Sequence, residues 1–145
     1  EQVRVLFQTW PFWAVASAVF AAMTAILAKV GVSGINSDLA TLIRTCVILL
    51  ASAGVVAGFG EFHGLAQTPL RSWVFLVLSG LATGASWLCY FRALKLGDAA
   101  RVAPIDKLSV VMVAVFACLF LGERLSSINW AGVCLIAAGA LLVAW

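Results

Sequence analysis

Five ionisable side chains stand in stretches that are otherwise almost wholly apolar: Lys29, Arg44, Arg92, Asp106 and Lys107. A charge held deep in hydrocarbon costs at least about 2.5–3.5 kcal/mol on insertion scales, so such residues ordinarily face a protein interior or a water-filled cavity and mark routes for ions and solutes. Asp106 and Lys107 are adjacent, and neighbours on a helix point roughly 100° apart. At least one of them therefore needs a partner on another helix. Arg44 is the natural partner of Asp106 by depth, with Lys107 and Lys29 lining a cationic vestibule; Lys29 can alternatively snorkel to the interface. The other reading is that these charges only neutralise one another and lock the helices together. Trp87 and Tyr90, three residues apart, share a helix face and either offer a π surface to an organic or cationic ligand or pack in the core. Asp106 is the favoured residue for proton coupling, and Glu123 stands a distant second.

These residues need helices to hold them. Crossing about 30 Å of hydrocarbon takes roughly 20 helical residues, and five apolar blocks of about that length follow one another, at 11–32, 38–59, 72–94, 99–121 and 128–145. Pro11 suits a first helical turn and Trp10 and Trp13 an interfacial entry. Ser37 or Asp38 can cap the second block, and Gly58 and Gly60 close it. Trp73 and Trp130 mark further entries, and Trp145 another interface. A polar loop with Glu61, His63 and Pro69 separates the second block from the third. Pro104, early in the fourth, can kink or loosen that helix and free the carbonyls of Ala100 and Arg101. At 1.5 Å per residue, Arg44, about six residues into its block, and Asp106, about seven into its own, lie at nearly one depth. Lys29 and Arg92 fall in the same half of the membrane. A membrane β-barrel is a poor alternative, because its strands need about ten residues of alternating polarity. The expected architecture is an all-α bundle of five transmembrane helices, with residues 1–10 an N-terminal segment and 11–145 one domain. The first block is too long for the apolar region of a cleavable signal peptide, so none is expected.

Composition agrees. The chain has 145 residues, 64% apolar and 10% charged, with a mean hydropathy of +1.12, whereas a soluble domain is about a quarter charged. Lipid must be the main solvent. The net charge of +3 is small and dispersed, which argues against nucleic-acid binding. Cys46, Cys89, Cys118 and Cys134 form no C-x-x-C pair and fall within apolar blocks, so they read as small packing residues rather than ligands or disulfides. With His63 in a loop and no Ser–His, Cys–His or metal cluster apparent, neither enzymatic chemistry nor a cofactor is expected.

Small residues recur at contact spacing: Gly54/Gly58 and Gly80/Gly84 are G-x-x-x-G pairs, and Ala14/Ala18 and Ser17/Ala21 repeat the pattern. They permit close backbone approach, either inside the bundle or at a dimer interface. The loop charges give no orientation: Arg4, Arg71 and Arg124 fall on the N-terminal side, Arg92, Lys95 and Arg101 on the other. Either another signal sets the topology, or the chain inserts both ways and two copies build an inverted-repeat assembly.

The stretch from Leu119 through Leu121-Gly122-Glu123-Arg124 to Ser126, with Trp130-Ala131-Gly132 and Ala137-Ala138-Gly139-Ala140, resembles the last two helices of the EamA domain of the drug/metabolite transporter superfamily. Tyr90 to Leu94 and Gly97 to Ile105 look like its turn between helices three and four, and Lys29-Val30-Gly31 and Arg44 also match its pattern. The family commonly carries a proline further along the fourth helix, near Ser109 or Val110; this chain does not. The resemblance implies the five-helix bacterial branch, an antiparallel homodimer or a paired paralogue, and transport of a metabolite, amino acid, nucleobase or drug-like compound. The function expected is a secondary transporter of a small organic solute in the cell inner membrane, working by alternating access. Its pathway residues are expected among Lys29, Arg44, Trp87, Tyr90, Arg92, Asp106 and Lys107. The rival is a non-transporting scaffold or accessory subunit of a larger complex.

Overall fold

The computed structural model describes residues 9–145, so residues 1–8, including Arg4 and most of the expected N-terminal segment, lie outside it. The described chain is all-α, as the apolar blocks require. Its elements are α1 (Trp10–Val32), α2 (Ser37–Gly58), a short 3-10 helix (Glu61–Gln67), α3 (Leu70–Leu96), α4 (Ala99–Asp106), α5 (Ser109–Phe120) and α6 (Ser127–Ala144). Five stretches are long and apolar enough to cross a bilayer: α1, α2, α3, the run Ala99–Phe120, and α6. In lipid every backbone polar group must be satisfied internally, and a helix does this within one segment. Side-chain hydroxyls follow the same rule. Thr41, Thr45 and Thr83 each donate to the carbonyl four residues back, at 2.8–2.9 Å, which hides a polar group inside a span.

The chain falls into two compact units. One is Gly31–Leu96, holding α2, the 3-10 helix and α3; α2 packs against both. The other joins the described residues up to Val30 with Gly97–Trp145 and packs α6 against α4 and α5. Leucines, valines and phenylalanines along every span are largely exposed, the distribution expected where lipid replaces water.

The helix ends set where the charges stand. α2 is capped not by Ser37 or Asp38 but by the residue before them: the Asn36 Oδ1 accepts from the Asp38 N–H at 2.7 Å. That leaves the Asp38 carboxylate free for another task. The loop after α2 is not irregular but forms the 3-10 turn that follows Gly60, whose φ is +68°. The fourth span is divided. Pro104 withdraws one N–H from α4, yet the break comes at Lys107–Leu108. There the ladder shortens to i→i−3 bonds: Leu108 N–H to Ile105, Val110 to Lys107 and Val111 to Leu108, each at 3.0 Å. The Asp106 carbonyl and the Ser109 N–H take no part in it among the described residues.

α5 ends at a left-handed Gly122, φ +67°, around which the Glu123 N–H reaches the Ala117 carbonyl at 3.1 Å. A side chain in that conformation costs about 1–2 kcal/mol. Gly122→Ala is therefore expected to lower stability by about that amount in detergent melts. Gly132→Ala, in a helix with nothing within 4 Å of the added methyl, is expected to be neutral or stabilising by up to about 1 kcal/mol.

Candidate functional site

In the Gly31–Leu96 unit the contacts fix a register. Ile35 meets Lys95, Asp38 meets Arg92 and Arg44 meets Trp87; one number rises as the other falls, so α2 and α3 run antiparallel. At the open end of this pair Lys95 Nζ donates to the Ile35 carbonyl at 2.6 Å. One turn deeper, Arg92 meets Asp38 fork to fork, Nε to Oδ1 at 3.1 Å and Nη2 to Oδ2 at 3.0 Å. Both side chains are about half exposed, which suits the headgroup level, where such pairs contribute little individually.

Deeper again stands Arg44. Its Cζ lies 3.0 Å from the centroid of the Trp87 ring and 5.7 Å from that of Phe91. Trp87 is braced in turn, edge to face by Tyr90 at 6.3 Å and by Phe91 at 6.1 Å. Phe91 is buried and Trp87 and Tyr90 are half-buried. A desolvated cation–π contact stabilises by about 2 kcal/mol, less than the roughly 2.5–3.5 kcal/mol an arginine costs at the centre of a span. A ring face accepts charge but not a fork of hydrogen bonds, and among the described residues no hydrogen bond accompanies these ring contacts at the guanidinium.

In the other unit Lys29, Arg101 and Lys107 each have a partner of their own. Lys29 Nζ donates to the Gly97 carbonyl at 2.7 Å. Arg101 clamps the Ala144 carbonyl through Nε at 3.0 Å and Nη2 at 2.6 Å, a favourable cation at a helix C-terminus. Lys107 Nζ lies 3.6 Å from Asp106 Oδ2. That last contact differs from the expectation that neighbours would point apart: the helix stops at Asp106, and the divided backbone lets the two side chains converge. Arg44 and Asp106 belong to different units, and within its own unit each has another neighbour. Glu123 is exposed beyond the end of α5.

The glycine pairs carry a further observation. A Cβ added at Gly54, Gly58, Gly80 or Gly84 would meet no heavy atom within 4 Å, so these faces are open. No group of three or more His, Cys, Asp or Glu able to hold a metal occurs among the described residues.

A sequence model of the EamA-like transporter family matches residues 8–145. The chain belongs to that family. A Sinorhizobium sp. protein named "Uncharacterized transporter in cobO 3'region" is 67% identical over 137 residues, covering 94% of this chain and 97% of that protein. No solved structure matches. As an EamA-like transporter the chain is a multi-pass membrane protein, and family and relative agree on transport as its role.

Asp38 was visible in the sequence only as a candidate cap. The signal for its pairing was there: it and Arg92 lie near facing ends of consecutive antiparallel spans. Single substitutions Asp38→Asn and Arg92→Gln are each expected to lower the detergent melting temperature slightly. The double substitution should cost no more than either alone, a non-additivity that a thermal double-mutant cycle reads directly.

Proposed function

We propose that this EamA-like protein is a secondary transporter of a small organic solute, working by alternating access as an antiparallel homodimer or with a paired paralogue in the cell inner membrane. The observation that carries this is Arg44: a cation kept inside a span and braced on Trp87, where hydrocarbon alone would select against it. Arg44, Trp87 and Tyr90 form the solute-facing group of the Gly31–Leu96 unit, with Arg92 near its rim. Lys29, Asp106 and Lys107 are the pathway residues of the other unit. Asp106 is the coupling residue, set at a broken helix whose spare backbone groups favour ions and polar guests; Glu123 is second to it.

The dimer draws support from the open glycine faces at Gly54, Gly58, Gly80 and Gly84, which allow a second backbone to approach. It also draws support from the nearly even spread of loop cations, which lets identical chains insert in opposite senses.

Purified protein reconstituted alone is expected to carry solute into liposomes; no flux across a broad metabolite panel sinks the transporter reading and favours a scaffold. Asp106→Asn is expected to flatten the pH dependence of that flux, and an unchanged profile removes Asp106 from coupling. With the native cysteines replaced, Gly64→Cys is expected to react with impermeant thiol reagents from both faces of the membrane in comparable amounts. One-sided labelling excludes dual insertion.

A further inference from the structure

Within the Gly31–Leu96 unit the carboxylates do not serve Arg44. Asp38 is taken at both oxygens by Arg92. Glu61 lies past the far end of α2, which itself ends about 21 Å along the axis from Arg44. The guanidinium has five N–H donors in a rigid fork, and its contacts among the described residues are rings. Its head has also not snorkelled. Asp38–Arg92 and Arg44–Trp87 follow one antiparallel register, so the charge stays level with its own Cα, and Phe91 lies one turn nearer the membrane surface. With one face on Trp87, the plane of the fork is fixed and its edge is left to bind. A planar edge of parallel N–H donors matches a carboxylate.

We propose that Arg44, laid on Trp87, is an anion clamp whose edge binds the carboxylate of a small organic monoacid, and that such monoacids are the substrate class. This rests on the transport reading above. A single positive charge neutralises one carboxylate, whereas a dianionic phosphate ester would leave a net charge in a low-dielectric setting, where it is costly. The same edge could take the phosphate of a lipid headgroup, and the experiment separates the two.

The whole chain in a neutral detergent is tested with benzoate, phenylacetate and hexanoate beside their amides and benzylammonium. The acids are expected to raise the melting temperature with concentration, and the amides and the amine to leave it unchanged. Phenylglyoxal labelling with peptide mapping reads the contact on the unmutated protein: an acid is expected to slow modification of Arg44 severalfold and leave Arg71 and Arg124 alone. Arg44→Lys keeps the charge but loses the fork, and is expected to weaken acid binding about tenfold; Arg44→Gln is expected to abolish it. Protection of Arg44 by phosphatidylglycerol nanodiscs but by no acid overturns the proposal and assigns the residue to lipid. Flux of a neutral or cationic solute that survives Arg44→Gln overturns the clamp while leaving transport standing. Absence of all flux, with acid protection of Arg44 intact, supports the clamp and overturns transport.

Discussion

Hydrocarbon offers no hydrogen bonds, so every polar group placed among these helices has to bring its own partner. That constraint orders the molecule. The backbone meets it by coiling, and the threonines meet it by donating to carbonyls one turn back. Lys29, Lys95 and Arg101 meet it by reaching main-chain oxygens at interhelical turns and helix ends. Asp38 and Arg92 meet it by pairing. These five charged side chains are thereby spent on holding helix ends together. Arg44 differs from these: among the described residues its contacts are aromatic faces, which answer its charge and not its donors.

The same constraint explains what the surface looks like. The side chains that dominate a soluble core are here largely outside, while Val32 and Leu94 are fully buried and lie near the ends of α1 and α3 where the polar contacts gather. Lipid solvates leucine as well as a protein interior does, so burial of apolar area contributes little to helix association. Specific contacts then weigh more. The fork of Arg92 on Asp38 and the seat of Arg44 on Trp87 fix the register of α2 against α3 at two levels, which apolar contacts between smooth leucine faces would not.

Much of this was legible in the sequence, because span length and apolarity are dictated by bilayer thickness. Gly58 and Gly60 mark the end of α2 by residue type alone. What could not be read was pairing. Depth along a helix is countable from sequence and sets Arg44 and Asp106 at one level, whereas the direction in which a long side chain leans is not countable. Trp87 was singled out for lying deep in its span and sharing a face with Tyr90, yet nothing in the spacing said that its ring would carry the arginine. Pro104 points to a break in the fourth span, and the break falls three residues later, since a proline weakens the ladder and local bonding decides where it parts.

That break also accounts for the order of the two adjacent charges. A helix carries partial positive charge at its N-terminus and partial negative charge at its C-terminus. Lys107 follows the last residue of α4 and Asp106 stands three residues ahead of α5. The cation therefore sits at a C-terminus and the anion near an N-terminus, each favoured by the dipole beside it. In an unbroken helix neither would gain from this, and both would face the full cost of the bilayer interior. Dividing the span turns an unfavourable dipeptide into a tolerated one, and leaves a carboxylate beside backbone groups that take no part in the helical ladder among the described residues, at a depth where an unbroken helix would offer a guest no polar contact.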